Sequence, residues 1–405
     1  MDIVVIGHVD HGKSTLIGRL LYDSESIKEG RVEEIQKLAE EYKKRFEFAY
    51  FLDSFEDELK EERTIDTTGV MFKGKNYYSI TDVPGHKEFI KNMLTGASHA
   101  EAAVLVVSAL EGIQEQTRRH TFLLKMLGIK QLLVVVNKMD AVSYKEEAFQ
   151  TIKDEMVELL SSFGYREVEF IPGSAMEGDN IYRRSERMEW YHGSTLIEAL
   201  DGIKLSNEAK PLRFVVQDVY LVDAERVIVG RVESGALRRR DEVIFQPSGA
   251  KGKVEKIKVF QAELEEARMG DSIGLVTNAE AKRGDVCGLL HNPPIATKEF
   301  LGEVVLLDKK LRKGESVDLR CGTRKVRCKV KEIREKINSE SGEVMEKHPE
   351  EISENEAATI VFATEPLVVE KFTDIPELGR FVLVRDKNIG AGVVLEASRC
   401  SSSWG

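Results

Sequence analysis

The chain has 405 residues, 42% hydrophobic and 32% charged, a balance that fits a soluble globular protein long enough for two or three domains. A net charge of −11 and a sequence pI near 5.5 exclude a blanket basic surface for nucleic acid, though not a local basic patch. No apolar run is long enough to span a bilayer, and nothing precedes the first strand to act as a signal peptide. The four cysteines lack a C-x-x-C or zinc-type spacing, and Cys287, Cys321 and Cys328 read as reduced, partly buried residues of a cytoplasmic protein.

The first element is an apolar strand at residues 3–6, which stops at Gly7. Gly7-His8-Val9-Asp10-His11-Gly12-Lys13-Ser14 follows, the G-x-x-x-x-G-K-S pattern of a phosphate loop. Its glycines let backbone N–H groups turn toward phosphate oxygens, and Lys13 supplies a point charge for the β- and γ-phosphates. The Ser14 hydroxyl is a Mg²⁺ ligand candidate. Thr15 opens an amphipathic helix (Leu16, Ile17, Leu20, Leu21) whose positive dipole end faces the anion.

Residues 24–63 are highly charged, and the spacing of Val32, Ile35, Leu38, Ala39 and Tyr42 predicts a helix over 29–48, most of whose charges are solvated. The segment leads to Glu61-Glu62-Arg63-Thr64-Ile65-Asp66-Thr67-Thr68. A threonine in such a loop can close on Mg²⁺ and the γ-phosphate and let go after hydrolysis. Thr64, Thr67 and Thr68 compete for that role. A strand pair at 70–72 and 77–81 then delivers Asp82-Val83-Pro84-Gly85-His86. Asp82 is placed to hold Mg²⁺ through water, the Gly85 N–H to meet the γ-phosphate, and His86 to orient an attacking water.

Residues 104–107 and 132–136 are continuous apolar runs, hence central parallel strands, separated by a helix at 116–127. The second run ends in Asn137-Lys138-Met139-Asp140. Asp140 can accept two hydrogen bonds from the N1 and 2-amino edge of guanine, and adenine leaves that acceptor unpaired. Asn137 can tie the base to the phosphate loop and the Lys138 stem can cover the ring. A strand at 170–172 leads to Gly173-Ser174-Ala175-Met176, whose backbone is placed to touch the base oxygen.

From about residue 206 the pattern changes to alternating segments with glycine turns, at 212–219, 227–232, 242–245, 253–259 and 273–276, a small antiparallel barrel. Arg238-Arg239-Arg240 reads as a solvated hairpin edge. Asn292-Pro293-Pro294 marks a second boundary, and a further β-rich stretch runs through 304–306, 326–333, 359–362, 381–384 and 391–395. Residues 325–336 alternate basic and apolar side chains, as a half-exposed strand does.

Together these residues resemble the translation-factor branch of GTPases, the elongation factor Tu and elongation factor one-alpha type. That resemblance rests on Gly7-His8-Val9-Asp10-His11-Gly12-Lys13-Ser14, Asp82-Val83-Pro84-Gly85-His86 and Asn137-Lys138-Met139-Asp140. It implies an α/β P-loop GTPase domain with a doubly wound, mostly parallel sheet over 1–205, followed by antiparallel β-barrels over 206–293 and 294–400. It implies GTP and Mg²⁺ as ligands and His86 as the residue that positions the hydrolytic water. Asp10 would lie near the reacting phosphate, and Thr64 would be the Mg²⁺-linked threonine.

Within the branch, residues 14–24, 115–120, 177–180, 190–196 and 246–249 are similar to the large GTPase subunit of sulfate adenylyltransferase. That likeness implies GTP hydrolysis coupled to adenylyl sulfate synthesis on an adenylyl-transferring small subunit. The alternative expectation is an elongation-factor-like carrier of aminoacyl-tRNA to the ribosome, and a third is a GTP-dependent switch for another protein partner. His11 favours the elongation factors, since the sulfate-activating subunit usually has a second aspartate there. Glu62 and Arg63 replace the glycine and apolar residue that usually precede Thr-Ile-Asp, which implies altered water access at the switch.

Overall fold

A computed structural model describes residues 1–27, 30, 32–33, 48, 70–82, 100–203, 210–222, 225–259 and 262–397. The helix expected over 29–48 and the switch threonines lie outside the described residues, apart from Gly30, Val32, Glu33 and Phe48. The chain divides into two compact units, the first built mainly from residues 1–205 and the second mainly from 206–405.

The first unit is a six-stranded sheet in the order β2-β3-β1-β4-β5-β6. Its strands are β1 (Asp2–Gly7), β2 (Val70–Lys73), β3 (Tyr77–Asp82), β4 (Ala102–Ser108), β5 (Gln131–Asn137) and β6 (Glu169–Pro172). All neighbours pair parallel except the edge strand β2, which pairs antiparallel with β3. The helices are α1 (Lys13–Asp23), α2 (Glu115–Met126), α3 (Glu146–Ser162) and α4 (Leu196–Gly202). Because helices cover both faces, a central strand is apolar throughout: Ile3, Val4, Val5 and Ile6 are each at most 1% exposed. Leu16, Ile17, Leu20 and Leu21 of α1 join the same core as Ile3, Val5, Val104, Val106 and Val135. Thr195 and Glu198 form a reciprocal capping box that starts α4.

This topology puts the loops after β1, β3, β4, β5 and β6 at one edge, the carboxyl ends of the parallel strands. Ligands of open α/β sheets bind there. The five loops begin at Gly7, Asp82, Ser108, Asn137 and Pro172, so the phosphate-loop, Asp82 and Asn137 motifs and the segment from Gly173 all start from that edge.

The second unit holds two seven-stranded sheets, each closed on itself. The first contains β7 (Arg213–Val222), β8 (Glu225–Ser234), β10 (Glu242–Gln246), β11 (Ala250–Val259), β12 (Ala262–Leu264), β14 (Ser272–Thr277) and β15 (Val286–Leu289). Pairing of β10 with β11 closes the barrel, and β9 (Ala236–Arg238) pairs with β13 (Glu266–Arg268) beside it. The second contains β16 (Ala296–Leu306), β18 (Ser316–Cys321), β19 (Arg324–Ile337), β20 (Val344–Lys347), β22 (Ala357–Val368), β23 (Arg380–Val384) and β24 (Asn388–Ala397), closed by β18 on β19. β17 (Lys310–Arg312) and β21 (Glu351–Ser353) form a small ribbon next to it.

Each barrel is filled by the inward residues of alternating strands. In the second, Phe300, Phe362 and Phe381 meet with ring centroids 5.2–5.4 Å apart, each ring contributing roughly 2–3 kcal/mol by burial. The two barrels pack on each other through Val215, Val286, Val368, Ile375 and Leu378. Arg213 Nε donates across the seam to Glu370 Oε1 at 2.6 Å.

Three expectations are refined. Cys287, Cys321 and Cys328 are fully buried free thiols, at 0%, 4% and 2% exposure, each filling a barrel interior. The basic residues of β19 do alternate with Val326, Cys328 and Val330, but carboxylates answer most of them: Asp318 pairs with Lys325 and Arg327, and Glu299 with Lys331. Arg238 and Arg239 face solvent opposite Glu266 and Glu265.

Candidate functional site

The phosphate loop follows from β1 running out at Gly7 and α1 beginning at Lys13. Neither glycine tolerates a side chain. A Cβ on Gly7 would stand 2.3 Å from the Val106 carbonyl oxygen. Gly12 adopts φ +90°, and a Cβ there would stand 2.4 Å from Asn137 Nδ2. No side chain caps α1, and helical carbonyls cannot reach the N–H groups of its first turn, an end that suits an anion. Lys13 Nζ donates to the His8 carbonyl at 2.8 Å, a cation already held inside the loop. The Val9 N–H donates to Gln116 Oε1 at 3.3 Å, which ties the loop to α2.

His11 is part of the loop and yet 0% exposed. Its Nδ1 lies 3.2 Å from the Val106 carbonyl, which can only accept, so the neutral ring carries its proton there. Its Nε2 is 3.7 Å from Glu111 Oε2 and makes no hydrogen bond. Burial is the main cause that holds the imidazole down at about 4, against an ordinary value of 6.5. The ring therefore belongs to the interior under the loop.

The loop after β4 brings Glu111 between the two halves of the site. Glu111 Oε1 accepts from Lys138 Nζ at 3.3 Å, while Oε2 faces His11. Desolvation pushes its carboxyl up. The Lys138 ammonium and the two histidines outweigh that, so it ends below the usual carboxylate range. The sequence offers Gln116 only within the stretch 115–120 and as the start of a helix, and Glu111 not at all. The available signal was position: a Gly112 turn directly after a buried parallel strand must open on the ligand edge.

The base side is built from the ends of β5 and β6. Asn137 is 2% exposed; its Nδ2 donates to the His11 carbonyl and its Oδ1 accepts from the Ala175 N–H, both at 2.9 Å. Met139 to Val142 form a 3₁₀ turn that carries Asp140, whose Oδ1 accepts from Ser174 Oγ at 2.6 Å. The Met176 carbonyl accepts from Arg19 Nη1 of α1 at 3.2 Å. So Asn137, Asp140, Ser174, Ala175 and Met176 are brought together with the phosphate loop. The N–H of Ala175 is already taken by Asn137.

Thr64, Gly85 and His86 lie outside the described residues, as does the side chain of Asp82. The Asp82 backbone closes β3 opposite Val5, so it and Ser14 follow neighbouring parallel strands at the same edge. A serine hydroxyl and a carboxylate are oxygen donors of the type Mg²⁺ takes, and it needs few of them beside phosphate and water.

Residues 1–206 match the elongation factor Tu GTP binding domain, 225–288 match elongation factor Tu domain 2, and 299–395 match the GTP-eEF1A C-terminal domain-like family. The chain belongs to the elongation factor Tu and 1-alpha family of GTPases. Among its relatives, elongation factor 1-alpha of Archaeoglobus fulgidus is 42% identical, with 98% of this chain and 97% of the relative covered. The same protein of Methanothrix thermoacetophila is 41% identical (99% and 97% covered), and that of Methanothermobacter thermautotrophicus 42% (98% and 97%).

These whole-chain likenesses overturn the expectation of a sulfate adenylyltransferase subunit. The stretches that suggested it serve the scaffold. Leu16, Ile17, Leu20 and Leu21 are core, and Gly178 and Asp179 close the base loop by hydrogen bonds to Ser174. Tyr191 is half-buried, its hydroxyl bonded to the Phe170 and Ser194 carbonyls. Residues that any member of the fold needs do not discriminate what it acts on.

Proposed function

We propose that the protein is a Mg²⁺-dependent GTP-binding and GTP-hydrolysing switch that carries aminoacyl-tRNA to the ribosome. The observation that carries the guanine-nucleotide reading is the double bond set on Asn137. One side chain holds both the phosphate loop and the base loop, with Asp140 presented beside it by Ser174. The carrier role draws on relatives named elongation factor 1-alpha that match along nearly the whole chain.

In this reading Gly7 to Thr15 wrap the phosphates, Lys13 neutralises them, Asp140 selects guanine and the Lys138 stem covers the ring. Ser14, Thr64 and Asp82 hold Mg²⁺, which when bound screens the charge between the β- and γ-phosphates. His86 orients water, with Asp10 near the reacting phosphate. Residues 1–205 form the GTP-binding domain, with barrel domains over 206–293 and 294–400. Hydrolysis without a partner is slow, about 10⁻³ per second or less, and the partner supplies several orders of magnitude.

The test is ternary-complex formation. The GTP-bound protein should protect the ester of aminoacyl-tRNA from hydrolysis, with a steep salt dependence, and the GDP-bound protein should not. Equal protection in both states, or none in either, overturns the carrier role. ATP binding as tight as GTP binding overturns the guanine assignment, and a His86→Ala variant with parental hydrolysis removes the role of His86.

A further inference from the structure

The turn that carries Asp140 is strained and braced from outside the nucleotide motifs. Ser143 and Tyr144, neither a glycine, both adopt left-handed backbone, at φ +54° and +57°. Consecutive side-chain-bearing residues take that conformation only where surrounding contacts impose it.

The contacts come from residues 177–190. Trp190 Nε1 donates to the Tyr144 carbonyl at 3.0 Å. The Arg187 guanidinium lies over the Tyr144 ring at 5.3 Å, and its Nη1 donates to the Tyr144 hydroxyl and, at 3.4 Å, to Asp179 Oδ2. Asp179 is fixed in turn: its Oδ1 accepts from Ser185 Oγ at 2.7 Å, and its carbonyl accepts from the Ser174 N–H at 3.1 Å. Ser174 Oγ donates to Asp140, and the Tyr144 N–H returns to the Met139 carbonyl at 2.8 Å. The result is a closed circuit, Asp140–Ser174–Asp179–Arg187–Tyr144–Met139, joining the two loops that flank the base.

We propose that Arg187, Tyr144 and Trp190 are positioning residues for guanine selection, holding the Asp140 carboxylate where it meets the 2-amino edge of the base. The inference rests on the reading of Asp140 as the guanine acceptor. A carboxylate discriminates between bases only if it is fixed in place before the base arrives; one that can swing to follow any ligand loses the difference. Arg187 is half exposed, so its role here is that of a tie between loops, separate from support of a core.

The experiment is competition of GDP and inosine diphosphate, which lacks the 2-amino group, against a fluorescent GDP analogue on the full-length protein. The parent should favour GDP. Arg187→Gln and Tyr144→Phe should each narrow the GDP-to-inosine-diphosphate ratio by about fivefold, the net worth of one ordinary hydrogen bond. The double variant should lose little more, because both break one circuit. Arg184→Gln, an exposed arginine on the same segment whose partners are the Gly193 carbonyl and Glu198, should keep the parental ratio.

An unchanged ratio in both single variants, or an equal loss of both affinities, overturns the proposal while leaving the guanine assignment intact. A parent that binds the two nucleotides equally overturns the guanine assignment itself, and the circuit's role with it. If Arg187→Gln does not fold, Tyr144→Phe, which removes one oxygen atom, decides alone.

Discussion

Asn137 Nδ2 donates to the carbonyl of His11 at 2.9 Å, across 126 residues of sequence, and this bond joins the phosphate loop to the base loop. The same side chain accepts from Ala175, so both ends of the amide are committed in a buried setting. We expect Asn137→Ala to lower GDP affinity at least tenfold and to cost about 1–3 kcal/mol of stability, the price of leaving a buried N–H and carbonyl unpaired. Nucleotide titration and urea unfolding of the same samples check it. Loss of stability with parental affinity would show that Asn137 supports the fold alone.

Gly12→Ala should act through that same asparagine. The added Cβ would overlap Asn137 Nδ2 and would sit on a left-handed backbone. We expect nucleotide binding to fall by a hundredfold or more, in line with about 3 kcal/mol from strain and the displaced bond together. Equilibrium dialysis with GDP measures it, and binding within threefold of the parent would count against the crowded loop.

How much of this was readable in advance depends on how local each signal is. β1, Gly7 to Ser14 and Asn137 to Asp140 are contiguous patterns, and the continuous apolar runs of β4 and β5 identify parallel strands buried on both faces. Glu111, Gln116 and Arg187 carry no such pattern. Their partners Lys138, Val9 and Tyr144 lie 27, 107 and 43 residues away, and only the fold brings them together. Strands of three or four residues such as β9, β12, β13, β17 and β21 are too short for alternation to register. The stretches flanking the motifs point to the wrong subgroup because residues that pack or hydrogen-bond the scaffold carry no mark of the substrate.

His11 should make stability depend on pH. Its folded value is about 4 and its unfolded value near 6.5, so between those limits the unfolded chain takes up a proton that the folded chain refuses. The stabilisation is complete above pH 6.5 and is lost as pH falls toward 4, by about 3 kcal/mol over the window. Urea unfolding of the parent and of His11→Gln at intervals from pH 7 to 4 should give curves that converge as pH drops. Parallel curves would mean that the imidazole titrates normally in the folded state.

Glu111 should act on nucleotide affinity through Lys138. Its carboxylate receives the Lys138 ammonium and so directs the stem that, in the proposed function, covers the base. Both side chains are about a third exposed, so the pair itself is worth little, about 1 kcal/mol or less. We expect Glu111→Gln to raise the GDP dissociation rate about threefold, and to have no further effect in a Lys138→Met background. Stopped-flow release of a fluorescent GDP analogue provides the cycle. Equal effects in both backgrounds would assign Glu111 to the His11 side of the loop.

The barrel seam gives a prediction independent of nucleotide. Arg213 is 5% exposed at its side chain, and its guanidinium donates to Glu370, to the Leu212 carbonyl and to the Asn292 carbonyl. The carbonyls supply dipoles, while Glu370 supplies the compensating charge. Glu370→Gln keeps shape and one acceptor but leaves a buried cation uncompensated, and breaking such a pair from one side costs about 3 kcal/mol. The exposed Glu365→Gln on β22 removes the same charge from the surface and should stay within about 0.5 kcal/mol of the parent. Urea midpoints of the two variants, compared at one pH and salt, separate the cases. Equal midpoints would mean that the carbonyls alone carry the guanidinium, and that the two barrels are held by the apolar contacts of Val215, Val286, Val368, Ile375 and Leu378.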